Sequence, residues 1–248
     1  MPPQLICEKC NSLLVYWDYE EEIFVCDKCA HHFCKKDLAD QYRCSINLVD
    51  MRLTEIPNYF YKRDYIKKMD FSAEPYDPFH GPFVNRISLI SSGISRITDL
   101  EELDLTGNIV KAIPPAIGNC QALRRLFLGN NFIKRIPAAI GKLKNLELLI
   151  LRKNEIKSLP KEIGLLTSLK TLNIEDNQLT SLPKSIMNLK KLENLRLSGN
   201  TGLTSPPYAI AKQGLDAVRK WFGYLSLQPN FLSIKSSFPT QIRYCCLF

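Results

Sequence analysis

The chain has 248 residues, 45% of them apolar and 23% charged, with a formal net charge of +8. That mix fits a folded chain and excludes a disordered one, and no run approaches the roughly 20 apolar residues of a transmembrane helix. The basic excess permits attraction to anionic lipid or nucleic acid but specifies neither, because Lys and Arg are spread along the chain.

The opening residues, Met1-Pro2-Pro3-Gln4-Leu5-Ile6, lack a basic head followed by an apolar core, so no secretory signal is expected. A cytoplasmic chain keeps its thiols reduced, and nine cysteines then need an explanation other than disulfides. Six lie near the start. Cys7-x2-Cys10, fifteen residues, then Cys26-x2-Cys29 is the spacing of a four-thiolate zinc site. Each Cys-x-x-Cys can turn two sulfurs onto one metal, and the segment between them reads as a hairpin. Its arms are Leu13–Trp17 and Ile23–Val25, with an acidic turn at Asp18–Glu22. So short a segment cannot bury a sufficient core, and zinc would supply the missing stability. His32, Cys34, Asp37 and Cys44 follow as ligands of a possible second metal. His32-Phe33-Cys34 resembles the middle of cross-braced RING or B-box fingers, whose further Cys-x-x-Cys is not spelled out here, so one zinc ion and two both stay open. Residues 1–42 are therefore expected to form a small zinc-ribbon-like β-hairpin domain. With Lys9 and Lys28 facing Glu8, Asp18, Glu20, Glu21 and Glu22, it is not expected to bind nucleic acid.

Residues 43–99 carry fragments of a pattern that becomes regular further on. Ile46, Leu48, Leu53, Ile56 and Pro57 fit one coil, with Met51 in its polar column. Ile66, Met69 and Phe71 keep the phase, but Pro75, Pro78 and Pro82 argue against a regular coil there. Ile87, Leu89, Ile94 and Ile97 fit a shortened coil, with Ser92 in the polar column. These are expected to be degenerate repeats.

From residue 100 to 214 the period is 23. Leu100, Leu123, Leu146, Leu169 and Leu192 start the rows. Leu103, Leu126, Leu149, Leu172 and Leu195 follow, then Leu105, Leu128, Leu151, Ile174 and Leu197. Asn108, Asn131, Asn154, Asn177 and Asn200 fill one column, and Pro114, Pro137, Pro160 and Pro183 another. Leu-x-x-Leu-x-Leu reads as a short strand with its leucines inward. Where the strand ends the chain turns, and a carboxamide that both donates and accepts can satisfy buried backbone groups coil after coil. Ile117-Gly118, Ile140-Gly141 and Ile163-Gly164 shape the return. Cys120 shares a column with Leu143, Leu166 and Leu189 and is expected to be an unreactive core residue. One coil cannot bury its own leucines, so only a stack is stable. The pattern resembles the leucine-rich-repeat family, specifically its 23-residue Leu-Pro-x-x-Ile-Gly class. That class includes the Ras-binding scaffolds, the Ras-suppressor type, the Scribble-like polarity proteins and the plant intracellular Ras-group proteins. The resemblance implies an α/β solenoid, a horseshoe with parallel strands on the concave face.

Residues 215–225 are apolar at Leu215, Val218, Phe222 and Leu225, a helical period, and resemble the helix that closes such arrays. The tail, 226–248, ends Cys245-Cys246-Leu247-Phe248. This fits a C-a-a-X prenylation motif and resembles the tails of some Rho-family GTPases. One prenyl on Cys245 with removal of Cys246-Leu247-Phe248, prenylation of Cys245 with acylation of Cys246, and a doubly prenylated pair all stay open. One lipid anchors only marginally, so a second signal is expected. The expected location is the cytoplasm, peripheral to a membrane through the lipid.

No phosphate-cradling glycine loop, nucleophile elbow or His-Glu-x-x-His occurs, so no catalytic residue is assigned and an enzyme is not expected. Residues between the inward leucines face outward on the strands: Asp104, Arg125, Phe127, Leu148, Ile150, Arg152, Asn173, Glu175 and Arg196. Of these Phe127, Leu148 and Ile150 form an apolar patch, with Arg125, Arg152 and Arg196 about it. Such a surface suits a protein partner. The chain is thus expected to be an interaction adaptor, and the family resemblance implies a Ras-like GTPase or a phosphatase as partner. A ubiquitin-ligase component, with the finger recruiting and the repeats holding substrate, is the alternative.

Overall fold

The computed structural model describes residues 45–49, 53–62, 66–73 and 85–227, together with four short strands nearer the start. Those four make two antiparallel pairs. β1 (Leu5–Ile6) pairs with β2 (Leu13–Leu14), and β3 (Tyr16–Asp18) pairs with β4 (Ile23–Val25), placing Trp17 opposite Phe24. The apolar run 13–17 is thus divided between two strands. Cys7, Cys10, Cys26, Cys29, His32, Cys34, Asp37 and Cys44 lie outside the described residues, as does the tail from 228 onward.

A parallel sheet of seven strands runs through the rest in chain order: β5 (Ser45–Asn47), β6 (Lys68–Asp70), β7 (Glu102–Asp104), β8 (Arg125–Phe127), β9 (Leu148–Ile150), β10 (Thr171–Asn173) and β11 (Asn194–Arg196). Each strand is one rung of a coil, and registers are strict: Met69, Leu103, Leu126, Leu149, Leu172 and Leu195 stand side by side. All six are buried. Opposite the sheet the chain returns through 3-10 turns, regular at Pro115–Asn119, Ala138–Lys142, Lys161–Leu165 and Lys184–Asn188. In each case the repeat proline stands just before the turn in extended backbone, the conformation its ring favours. Glycine follows the buried isoleucine because neighbouring turns touch there. A Cβ at Gly118, Gly141 or Gly164 would lie within 2.6 Å of a carbonyl oxygen of the next coil. Met187 holds this column where no further 3-10 turn follows.

The asparagine column is the polar spine. Asn131 accepts from the Val110 amide at 2.9 Å and donates to the carbonyls of Leu105, Leu128 and Gly129 at 2.8–3.2 Å. It therefore ties its own coil to the one before. Asn108, Asn154, Asn177 and Asn200 repeat the arrangement. The residue before each is left-handed: Gly107, Asn130, Lys153, Asp176 and Gly199, with φ between 52° and 79°. Glycine, Asn and Asp tolerate that region, whereas Lys153 adopts it at a cost of about 1 kcal/mol. At Gly107 a Cβ would also sit 2.1 Å from the Ala73 carbonyl oxygen, so this position admits no side chain.

The early repeats need a correction. Ser92 does not occupy the asparagine column; it begins the 3-10 turn Ser92–Arg96, and Leu89 is 61% exposed. Asn85 takes the role instead. It is 1% exposed, accepts from Leu53 N at 2.9 Å, and donates to the carbonyls of Leu48 and Phe71. Asn85 follows Phe71 by 14 residues, whereas Asn131 follows Leu128 by 3. Residues 66–73 and 85–100 are therefore one coil with a long insert, so Ile87–Ile97 is the later part of that coil and not a shortened coil of its own. Met51 lies outside the described residues.

The far end is closed by side chains. A helical turn, Tyr208–Ala211, precedes a helix over Leu215–Leu227, two residues longer than expected. Val218 and Phe222 are buried against the last coil. Interior coils donate the amide before the ladder asparagine to the next coil, as Asp176 N does to Ser198 O. The last has no next coil, and Gly199 N donates to the Tyr208 hydroxyl at 3.1 Å. Arg219 likewise donates to the carbonyls of Leu189 and Leu192. Cys120 is fully buried, its thiol 3.3 Å from the Ile94 carbonyl, and burial pushes its pKa to about 12. Among the described residues no helix is long and apolar enough to cross a membrane.

Asn154→Ala strands the buried amide of Ile133 and takes one of two hydrogen bonds from each of the carbonyls of Leu128, Leu151 and Arg152, which keep those from Asn131, Asn177 and the Asn130 amide. Each buried unsatisfied group costs roughly 1–3 kcal/mol. Urea unfolding should show a loss of about 2 kcal/mol or more; a loss under about 1 kcal/mol would mean that the spine carries little of the stability.

The strand face as candidate interaction site

Register sorts the strand face into three columns. The first holds Ser45, Lys68, Glu102, Arg125, Leu148, Thr171 and Asn194; the second holds Asn47, Asp70, Asp104, Phe127, Ile150, Asn173 and Arg196. Two residues further along stand Ser72, Thr106, Gly129, Arg152, Glu175 and Ser198 in the third. The expected patch is brought together: Arg125 lies beside Leu148, and Phe127 beside Ile150. Phe127, Leu148 and Ile150 are half-buried, while Arg152 and Arg196 are exposed. Asn173 departs from expectation. Although it lies in the outward column it is buried, held by a bond from its Nδ2 to Glu175.

The second column has a further role that residue type alone did not suggest. Asn47, Asp70, Asp104 and Asn173 each accept, through Oδ1, the amide two residues on. These are Asx turns. Phe127 and Ile150 have no acceptor to offer, and the Gly129 and Arg152 amides make no hydrogen bond among the described residues. Gly129 also leaves the third column bare. A Cβ there would stand 3.3 Å from Cγ and 3.7 Å from Nε of Arg152, whose side chain leans across it.

Charge is divided along the stack. Glu102 bridges Lys68 and Arg125. Asp104 has its pKa raised, first by burial and then by Asp70 and Glu102 nearby, against the opposing bond from Thr106. Arg152 and Arg196 make no ion pair among the described residues. Just before the first column runs a ladder of alternating sign: Lys67, Glu101, Arg124, Glu147, Lys170 and Glu193. Lys67 pairs with Glu101 at 3.8 Å, and Glu147 pairs with Arg124 at 3.7 Å and Lys170 at 2.6 Å. The hydrogen bond from Lys170 lowers the pKa of Glu147.

Known proteins share this architecture. Residues 98–156 match the model described as leucine rich repeat, and residues 140–212 match the leucine-rich repeat region model. A leucine-rich-repeat protein of Leptospira interrogans is 30% identical with a TM-score of 0.53, over 68% of this chain and 44% of its own. The plant peptide hormone receptor RGFR1, solved in complex with RGF2, is 26% identical at TM-score 0.51, over 58% of this chain and 22% of its own. The ectodomain of the receptor kinase GASSHO1/SCHENGEN3 from Arabidopsis thaliana is 22% identical at TM-score 0.54. That likeness covers 76% of this chain and 22% of the receptor. This chain thus spans less than half of each of these proteins. No curated protein matches its sequence. The fold is that of a leucine-rich-repeat solenoid, an architecture that typically serves as a scaffold for binding protein.

The raised pKa of Asp104 has a definite sign. Its unfolded carboxyl ionises first, so stability present below the unfolded pKa of about 4 is lost as pH rises through the folded value. Asp104→Asn keeps an acceptor for Thr106 and removes the charge. It should raise the urea midpoint at pH 7 and leave it unchanged at pH 3; an unchanged midpoint at both would show that Asp104 is unstrained.

Proposed function

We propose that the chain is an interaction adaptor whose partner docks on the strand face over Phe127, Leu148 and Ile150. The single observation carrying this is the apolar patch, set in strict register between Arg125 and Arg152 on an otherwise polar face. Aromatic and aliphatic anchors with arginines at the edge are the composition of interaction hot spots. RGFR1, a receptor for peptide hormones, shares the fold, which supports a protein or peptide ligand. A Ras-like GTPase or a phosphatase is the partner class implied by the sequence resemblance. Phe127→Ala with Ile150→Ala removes the anchors. Affinity for the partner recovered by crosslinking should fall at least roughly tenfold, at a stability cost of only about 1 kcal/mol per residue, since both are half-exposed. Unchanged affinity would move the site elsewhere.

The two ends extend the proposal. Cys7, Cys10, Cys26 and Cys29 bind one zinc ion as thiolates, an assignment supported by the strands around them. β1 and β2 flank the first Cys-x-x-Cys, and Cys26 follows β4 directly. A lipid on Cys245, with Cys246 beside it, tethers the adaptor to a membrane on its cytoplasmic side. One comparison tests both ends. Cys7→Ser with Cys26→Ser should abolish bound zinc in metal analysis, and Cys245→Ser should shift the chain from the membrane to the soluble fraction of eukaryotic cells. Equal zinc content, or an unchanged distribution, sinks the respective assignment.

A further inference from the structure

Seven strands end at the same turn, and the amide that follows each is treated differently along the stack. Beside the Asp and Asn members of the second column the amide is occupied: Ser72 N by Asp70, Thr106 N by Asp104, and Glu175 N by Asn173; Ser198 N, after Arg196, has no acceptor among the described residues. At the apolar patch it is open. The Gly129 and Arg152 amides belong to adjacent coils and have no acceptor among the described residues. Arg152 leans over Gly129, which bears no side chain to fill the space. Two N–H donors on adjacent coils, that of buried Gly129 beneath the Arg152 side chain, and a guanidinium with no ion pair thus lie beside a hydrophobic strip. Their shared complement is an anion with two oxygens; charge-assisted bonds of this kind are the stronger ones.

The spacing narrows the ligand. The apolar column and the open amides are two residues apart along a strand, roughly 7 Å. In an extended peptide, residues i and i+2 point the same way at the same separation. We infer that this part of the strand face recognises an extended segment of sequence apolar-x-acidic, its apolar side chain over Phe127 and Ile150 and its carboxylate on the Gly129 and Arg152 amides and the Arg152 guanidinium. This rests on the strand face being the binding surface and names the chemistry it reads. Glu175, the nearest acid in the third column, is held by Asn173 and does not occupy the site.

The test uses the full chain, labelled with 15N, and acetyl-Leu-Gly-Asp-amide as probe, with acetyl-Leu-Gly-Asn-amide as its uncharged counterpart. Millimolar Kd values are accessible to such a titration. The Gly129 and Arg152 amide protons should shift downfield and saturate with the Asp probe only, while those of Thr106 and Glu175 stay still. Arg152→Gln keeps the stem without the charge and should weaken binding roughly tenfold. Gly129→Ala crowds Arg152 and should weaken it too. Equal shifts with both probes, no shift at either amide, or an Arg152→Gln variant that binds as tightly would each overturn the inference. So would tighter binding of acetyl-Leu-Gly-Asn with a free terminal carboxylate. A partner lost on Phe127→Ala with Ile150→Ala, but with amides that ignore the Asp probe, would leave the docking surface standing and remove the carboxylate from it.

Discussion

Everything in this solenoid depends on how a chain can turn inside its own core without stranding polar backbone. A strand of three residues ends against leucines on both sides, and its last carbonyls point where no further strand can accept them. A carboxamide meets that need: its oxygen takes an amide of the preceding coil, and its nitrogen serves carbonyls of both coils. Satisfying these groups in the side chain leaves the backbone free to turn, and the left-handed residue before each asparagine is the local expense of doing so. The inward leucines supply the burial, but their columns align only because the spine fixes where each coil turns.

Legibility in the sequence follows from this. The columns from Leu100 to Asn200 could be read because each coil meets the same physical need with the same residue. Asn85 was missed because Ile87 and Leu89 read as inward strand positions, which puts Ser92 rather than Asn85 in the polar column, while the long insert hides the true strand at Lys68–Asp70. Read backward, it was visible: Asn85-x-Ile87-x-x-Ile90 repeats Asn131-x-Ile133-x-x-Ile136. Leu89 misled because an apolar residue was taken for an inward one. The closing helix was legible from its period, but Arg219 and Tyr208 were not, because their partners are backbone groups that become free only at the end of a stack.

The candidate site shows a similar division. Alternation along each strand identified Phe127, Leu148, Ile150 and the arginines as outward, and register sets them side by side. Alternation could not reveal that the neighbouring column alternates between occupied and open amides. The signal was present as Asp or Asn two positions before the turn in some coils and Phe, Ile or Arg in others. It reads as ordinary variation until the hydrogen bonds are traced. Exposed Asn173 would have been a plausible contact residue; its role as a turn-forming acceptor buries it instead.

The ladder of alternating charge beside the first strand column has a consequence for folding. Leucine and asparagine columns are the same in every coil, so they cannot tell a coil's proper neighbour from the one beyond it. Charge can. With Lys67, Glu101, Arg124, Glu147, Lys170 and Glu193 in order, each residue meets the opposite sign next door and its own sign two coils away. A stack that skips a coil would bring Glu101 against Glu147, or Arg124 against Lys170. Each exposed pair is worth only about 0.2–1 kcal/mol, yet skipping converts attraction into repulsion. The ladder therefore acts as a parity bit written along the edge of the sheet, distinguishing adjacent assembly from an omission that the hydrophobic core alone would accept.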